Sequence, residues 1–168
     1  MNSFDKIWAV FDCNTYLQAV VRRNSPAGSC YRLAEDGIIK LFISKDALAE
    51  LKDVLNRPKV RKQLPALTDE SIEEFLTSLT NVAKLVRKVP KVFSLPRDVD
   101  DEPYINLAVE CEADYIVTRD NDLIYLMRGY DFESKLFRQK FRPLKVVKPL
   151  EFLQIIEDKI KEEITLKP

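Results

Sequence analysis

Two short apolar segments of the chain are each followed by carboxylates, an arrangement suited to binding a divalent metal. Residues 7–11 lead directly into Asp12, and residues 115–117 are followed by Thr118, Asp120 and Asp122. Apolar segments of this length are typical of buried parallel strands, whose carboxyl ends form the ligand-binding edge of an open α/β sheet. Like charges at ~4 Å repel each other by about 4 kcal/mol at an effective dielectric of ~20. A hard divalent cation removes that repulsion, so the sequence predicts a metal site.

Two further acidic segments could complete this site. Glu50 lies at the edge of the apolar face of a predicted helix, and residues 98–102 precede another predicted helix. Each acid also has an ordinary structural interpretation. Aspartate after a strand often caps a helix, acids in a first turn favour the helix dipole, and a single helical glutamate is usually solvated. The metal site is therefore predicted from the combination of the four segments and from none of them alone.

The composition excludes several kinds of chemistry. The 168 residues include no histidine, which rules out Ser-His-Asp and Cys-His catalysis and histidine metal ligands. Lysine plus arginine equals aspartate plus glutamate at 27 each, so net charge is no indication of nucleic-acid binding. Three widely spaced cysteines form no C-x-x-C pair and indicate reduced thiols in a cytoplasmic protein. No segment has the length or apolarity of a membrane span or a signal peptide.

Strands and helices alternate along the chain, which predicts an α/β fold. We expect a three-layer α/β/α sandwich with a mostly parallel central sheet in one domain, with its core at about 7–156 and a charged helix end at 157–168. The predicted strands are 7–11, 38–43, 115–118 and 145–148. The predicted helices begin after Ser25, Ser44, Thr68 and about Pro103, with a short helix at 123–127 and a last one from Pro149. Residues 91–97, which follow Pro90 and contain Pro96, are predicted to be a loop.

Four motifs in order give the chain a resemblance to the PIN-domain family. They read FDCN, ALAELKDVL, RDVDDEPYINLA and ADYIVTRDNDL. The chain most resembles the VapC-type toxins of toxin–antitoxin systems, over roughly residues 7–156. The resemblance implies a PIN-like fold and a nuclease that uses Mg²⁺ or Mn²⁺ to hydrolyse RNA, leaving 3′-hydroxyl and 5′-phosphate ends. It also implies a homodimer and a small antitoxin protein as partner.

The resemblance also implies which residues form the site. Four acids match the metal-binding and catalytic positions: Asp12, Glu50, Asp101 and Asp120. A fifth acid, Asp122, matches a second-metal ligand. Two polar residues, Asn14 and Thr118, match supporting positions. Asp101 is preferred to Asp100 because it keeps the motif's spacing to Ile105 and Ala108. Asn14 would orient Asp12, and Thr118 would support the site by hydrogen bonding. Cys13 stands where the family often has threonine.

A basic segment near the C-terminus is a candidate RNA contact. Phe137 and Phe141 are interleaved with its cations, which include Lys135, Arg138, Lys140 and Arg142. Base stacking on the aromatic rings and phosphate contacts would form an RNA platform. In the alternative interpretation the phenylalanines enter the core or a dimer interface. The connection at 127–143 is longer than in compact PIN domains and would form an extra turn, a dimer element or part of an RNA groove.

The leading hypothesis is thus a metal-dependent endoribonuclease that acts as a toxin. One alternative is a non-catalytic PIN module that binds RNA or a protein. A second is a haloacid-dehalogenase-like phosphohydrolase, in which Asn14 would occupy the place of the aspartate that acts as general acid. Asparagine cannot donate a proton in that way, so the sequence argues against the phosphohydrolase.

Overall fold

The strands of residues 6–166, which the computed structural model describes, form one parallel sheet. They are β1 (Ile7–Phe11), β2 (Ile39–Ser44), β3 (Ala83–Val86), β4 (Tyr115–Val117) and β5 (Lys145–Val147), in the order β3-β2-β1-β4-β5. Every neighbouring pair is parallel, so all the strands end at the same edge. The sheet is flanked by helices, which confirms the predicted α/β class.

The helices connect successive strands and cover the sheet. In chain order they are α1 (Cys13–Val21), α2 (Pro26–Glu35), α3 (Lys45–Asn56), α4 (Pro58–Gln63), α5 (Asp69–Val82), α6 (Glu102–Glu110), α7 (Asn121–Tyr125), α8 (Phe132–Lys140) and α9 (Pro149–Leu166). A short 3-10 helix, Val99–Asp101, precedes α6. Within residues 6–166, none of the helices combines the length and apolarity that crossing a membrane requires.

Local sequence signals set several of these boundaries. Ser25, Ser44 and Thr68 cap α2, α3 and α5 by accepting a backbone N–H three residues later. Gly37 follows α2 at φ +74°, a left-handed conformation that glycine adopts without steric cost. The predicted starts of these helices are therefore confirmed.

The core is thickest around the central strands. The side chains of β1 and β4 are almost entirely buried, as expected for strands covered on both faces. Phe11, Tyr16 and Phe152 are fully buried and pack ring against ring. This packing fixes the position of the strand end that carries Asp12.

Two elements differ from the sequence-based expectation. The helix after Thr68 ends at Val82, and the next four residues form the edge strand β3, which is not among the predicted strands. The connection at 127–143 contains a helix of nine residues, α8. The pattern of β3 is hard to recognise because its two middle side chains, Lys84 and Leu85, are both exposed and do not alternate.

Candidate metal centre

The carboxyl ends of β1 and β4 lie side by side at one edge of the sheet. Phe11 pairs with Val117, and the backbone N–H of Asp12 donates to the Val117 carbonyl at 3.4 Å. Asp12 and Thr118, which are 106 positions apart in the sequence, are therefore direct neighbours. Because β1 and β4 are parallel neighbours, the two acidic segments meet at one edge of the sheet, as predicted.

Asp12 is buried and held by two threonines. Its Oδ1 accepts the backbone N–H of Thr15 at 2.9 Å and the Thr15 hydroxyl at 2.5 Å, while Thr118 Oγ1 donates to Oδ2. Burial raises the pKa of Asp12, the hydrogen bonds from Thr118 and Thr15 oppose that shift, and the charge of Asp120 adds to it. The orienting role expected of Asn14 is thus filled by Thr15, because the first turn of α1 directs Thr15 inward and leaves Asn14 exposed.

Three aspartates from two segments converge beside this strand end. Asp98, Asp101 and Asp120 each offer a carboxylate oxygen, and these oxygens all lie within 4.8 Å of one another. Asp120 caps α7 through Oδ1, which accepts the Asp122 backbone N–H at 2.8 Å, so capping uses only one of its two oxygens. The backbone N–H of Asp120 donates to Thr118 Oγ1 at 2.9 Å. Thr118 therefore links the trio to Asp12.

Asp101 is the member of the trio whose environment is least suited to a negative charge. It is 9% exposed, and its Oδ2 is buried and faces no hydrogen-bond donor within residues 6–166. Burial, hydrogen bonding to Asp98 and the negative charges of Asp120 and Asp98 raise its pKa to about 8. A carboxylate in such a place is neutralised by either a proton or a cation.

The segment that contains Asp98 and Asp101 is held against α6 by hydrogen bonds. Asn106 Oδ1 accepts the backbone N–H groups of Val92 and Phe93, both at 2.9 Å. Glu102 Oε1 accepts the Leu95 N–H at 2.8 Å. Asp98 then caps the 3-10 helix by accepting the Asp100 N–H. These bonds hold a proline-rich loop in one conformation, which places two of the three acids.

Glu50 lies on the same side of the molecule and outside the trio. It is exposed on α3, and its charge contributes to raising the pKa values of Cys13 and Tyr104, both chiefly raised by burial. The Cys13 backbone N–H donates to the Tyr104 hydroxyl at 3.1 Å, which ties the start of α1 to α6. Burial and the charges of Glu50 and Asp12 raise the pKa of Cys13 to about 12, so the thiol at this position is protonated at neutral pH.

Asp122 is not a member of the trio and forms an ion pair with an arginine. Its Oδ1 forms an ion pair with Arg97 Nε at 3.4 Å, and the Arg97 guanidinium also lies over the Tyr125 ring, 4.2 Å from its centre. Asp122, the acid predicted to bind a second metal, is therefore engaged in an ion pair.

The donor set fits a hard divalent cation. Three carboxylate oxygens within 4.8 Å, one of them on a residue with a buried oxygen that lacks a donor, are the ligands that Mg²⁺ and Mn²⁺ prefer. No histidine or cysteine belongs to the trio, so the chemistry argues against a zinc or copper centre.

Comparison with known proteins gives the family. The model of the PIN domain matches residues 8–122, a range that contains every acid described above. The chain belongs to the PIN domain family. A protein of Methanocaldococcus jannaschii that is itself described as uncharacterized is 32% identical over 152 residues, which are 90% of this chain and 93% of the relative. No solved structure matches the chain significantly.

Within this PIN domain, Asp98 is a member of the trio that the sequence motifs do not select as a ligand. Asp101 and Asp120 were selected as ligands, whereas Asp98 was interpreted as a helix-dipole residue, and the structure brings it into the trio. An available signal was the spacing itself, since Asp98 and Asp101 are separated by one turn of 3-10 helix and therefore project from the same side.

The basic segment of this PIN domain has a largely structural role. Phe137 and Phe141 pack with Phe93 in an aromatic cluster, as the alternative interpretation expected. Arg138 donates to the carbonyls of Leu126 and Gly129, both at 2.7 Å, so its guanidinium is engaged and it is not a free RNA contact. Lys135, Lys140 and Arg142 are exposed, and their predicted RNA contact stays a prediction.

Proposed function

We propose that this protein is a metal-dependent endoribonuclease. The single observation that carries the proposal is the convergence of Asp98, Asp101 and Asp120, with a buried Asp101 oxygen that faces no donor, at the carboxyl edge of a parallel sheet. Membership of the PIN family, whose members are commonly metal-dependent nucleases, supports the same conclusion.

The trio would hold Mg²⁺ or Mn²⁺, with Asp12 and Glu50 as further acids on the same side. When bound, a divalent cation supplies positive charge at the scissile phosphate and makes a water molecule more acidic. The protein's own contribution is positional. Thr118 fixes Asp12 and Asp120 relative to each other, and the bonds from Asn106 and Glu102 hold the loop that carries the other two acids. Because these groups are fixed before substrate arrives, little reorganisation is needed at the moment of reaction.

The biological role that we infer is that of a toxin in a toxin–antitoxin pair. This inference depends on the resemblance of the four sequence motifs to VapC-type toxins. The same inference implies a cytoplasmic location, a homodimer and a small antitoxin that binds at the acidic centre. Co-purification with a small protein encoded beside this chain, and loss of cleavage when that protein is added, would test the role.

The activity itself is tested with a panel of structured and unstructured RNAs. Purified protein is incubated with Mn²⁺, Mg²⁺ or chelator, alongside Asp12→Asn, Asp98→Asn, Asp101→Asn and Asp120→Asn. The matched control is Asp100→Asn, which removes an exposed charge next to the trio without altering it. We expect metal-dependent cleavage that falls at least a hundredfold in the site variants and is retained in the control.

Other outcomes point to the alternatives. Metal binding without cleavage of any RNA would favour a non-catalytic PIN module. Hydrolysis of a small phosphomonoester in place of RNA would favour a phosphohydrolase. Cleavage that persists with chelator would trace the activity to a contaminating nuclease.

A further inference from the structure

Arg97 joins the two segments that supply the acidic trio. It directly precedes Asp98, and its Nε lies 3.4 Å from Oδ1 of Asp122, which follows Asp120 by two residues. The backbone N–H of Asp122 also donates to Asp120 Oδ1 at 2.8 Å. Carboxylate oxygens of Asp98 and Asp120 lie within 4.8 Å of each other. The Arg97 side chain therefore bridges the two sides of the candidate metal centre.

The guanidinium of Arg97 is positioned by an aromatic ring. Its central carbon lies 4.2 Å from the centre of the Tyr125 ring, in the short helix α7 that Asp120 caps. Arginine is well suited to this contact, because its guanidinium is planar and weakly hydrated. Tyr125 in turn packs against Gly129, where a Cβ would lie 2.4 Å from the ring. The ring has little room to move, so Arg97 is placed before any ligand arrives.

The ion pair leaves part of the guanidinium available to a ligand. Charge-assisted N–H···O bonds are about 2.7–2.9 Å long, so the 3.4 Å between Arg97 and Asp122 is an attraction without a short hydrogen bond. The two side chains are 43% and 44% exposed. Arginine has five N–H donors in a planar fork that matches the oxygens of a phosphate. Arg97 can therefore stay over Tyr125 and still donate to a phosphate oxygen.

The same arginine opposes a second divalent cation. Asp122 is the acid that the sequence motifs assign to a second metal, and a cation on its carboxylate would lie beside the Arg97 guanidinium. A divalent ion and a unit positive charge repel each other twice as strongly as two unit charges at the same distance. The second ion would also have to displace Arg97 from Asp122 Oδ1. Asp122 is therefore a poor metal ligand while Arg97 is present.

Resting on the proposed nuclease function, we propose that Arg97 takes the place of a second metal ion. The trio then holds a single divalent cation, and the Arg97 guanidinium contacts the phosphate of the substrate. A guanidinium serves the same electrostatic purpose as a second metal ion, because it stabilises the negative charge that develops on the phosphate oxygens. It is always protonated, so this charge is present at any concentration of metal.

The first measurement counts bound metal in the absence of RNA. Electron paramagnetic resonance measures free Mn²⁺ during a titration of the protein, which gives the number of ions bound per chain. We expect one Mn²⁺ for the unaltered protein and for Arg97→Lys, which keeps a positive charge. Arg97→Ala should bind two, the second more weakly. Arg97→Ala combined with Asp122→Asn should again bind one, which would locate the second ion at Asp122.

The matched control is Arg119→Ala. Arg119 is exposed, lies between Thr118 and Asp120, and forms no ion pair with another residue of the described range 6–166. Its removal takes away one positive charge next to the trio, as Arg97→Ala does, but frees no carboxylate. The control should therefore bind one Mn²⁺.

The second measurement asks whether a metal ion can substitute for the arginine. Hydrolysis of bis(p-nitrophenyl) phosphate is followed as the Mn²⁺ concentration is raised. Once the trio is filled, we expect Arg97→Ala to be about ten- to a hundredfold slower, the loss expected for one charge-assisted contact. Its rate should recover in part at the higher Mn²⁺ concentrations that fill Asp122. The double variant should show the loss without recovery, and Arg119→Ala should keep the original rate.

The outcomes separate this proposal from the nuclease function. Two Mn²⁺ bound by the unaltered protein, or only one by Arg97→Ala, would overturn the role of Arg97 and leave the metal-dependent nuclease intact. An unchanged rate in Arg97→Ala with the trio filled would show that the guanidinium does not contact the phosphate, and would also overturn it. No bound Mn²⁺ in the unaltered protein would refute the metal centre and both proposals with it.

Discussion

At the residue scale, Asp101 is the acid of the trio whose negative charge is least favoured when no cation is bound. Its buried oxygen lacks a donor, and two neighbouring aspartates oppose its ionisation. The folded protein without metal must therefore keep a proton there, and a divalent cation can replace that proton.

This proton gives the metal-free protein a specific pH dependence. The pKa of Asp101 is about 8 when folded, against an ordinary value of 3.8. Because the folded state binds the proton more tightly, the contribution of Asp101 to stability is complete below pH 4 and is lost as the pH rises through 8. We expect the free energy of unfolding, measured by urea titration in chelator, to fall from pH 6 to pH 9 less steeply in Asp101→Asn than in the unaltered protein. Asp100→Asn should keep the original slope, and an unchanged slope in Asp101→Asn would contradict the assignment.

Thr118 is the residue that joins the two strand ends. Thr118→Val keeps the shape of the side chain and removes the hydroxyl that donates to Asp12 and accepts from the Asp120 N–H. A buried carboxylate and a backbone N–H then each lose a partner, so we expect the free energy of unfolding to drop by about 1–3 kcal/mol. Thr118→Ser should recover most of this loss. Thr77→Val, on the exposed face of α5, is the control. A drop as small as that of the control would show that the hydroxyl contributes little.

What the sequence could predict at this scale follows from where each residue lies. Asp12 and Thr118 directly follow strands and Asp120 comes two residues after Thr118, and strand ends of a parallel sheet are predictable from apolar patterning. Asp98 belongs to a loop whose path depends on long-range bonds to Asn106 and Glu102, and no local pattern encodes such bonds. Thr15 was missed because its role depends on how the first turn of α1 is rotated.

At the scale of elements, local sequence signals predict the capped amphipathic helices but do not predict β3 or α8. The strongly amphipathic helices with clear caps begin where the sequence predicts. Strand β3 lies at the edge of the sheet with two exposed side chains, and its assignment depends on pairing with β2. The start of α8 has no side-chain capping hydrogen bond, so the local signal that marks α2, α3 and α5 is absent there.

Arg138 stabilises the connection between α7 and α8. Arg138→Ala removes both charge-assisted bonds to the Leu126 and Gly129 carbonyls. We expect a loss of about 1–3 kcal/mol in the free energy of unfolding and faster amide exchange in the turn at residues 126–131. Lys140→Ala, an exposed cation two residues later, is the control and should change neither quantity. Equal effects of the two variants would mean that Arg138 acts only through its charge.

At the scale of the whole molecule, metal binding should stabilise the fold. A cation that binds only the folded state, at a hundred times its Kd, adds about 2.7 kcal/mol to the free energy of unfolding. For a chain of this size, that corresponds to a rise in Tm of about 5–10 °C. We expect Mn²⁺ to produce this rise in scanning calorimetry and chelator to reverse it.

The matched variants show where the cation binds. Asp120→Asn should abolish the rise and Asp100→Asn should keep it. An undiminished rise in Asp120→Asn would locate binding elsewhere, for example at the acidic first turns of α5, which carry Asp69, Glu70, Glu73 and Glu74.

The placement of β1 at the middle of the sheet has a consequence for how the protein is made. The first strand to leave the ribosome pairs early with β2 but meets β4 only after Tyr115 has been synthesised, 106 residues beyond its partner Ala9. At 5–20 residues per second, that interval lasts about 5–20 s. During this time one side of a strongly apolar strand is unpaired, and the nascent chain is most exposed to aggregation and most dependent on chaperones. The acids that follow β1 and β4 also remain apart until that moment, so the candidate metal centre cannot assemble on an unfinished chain.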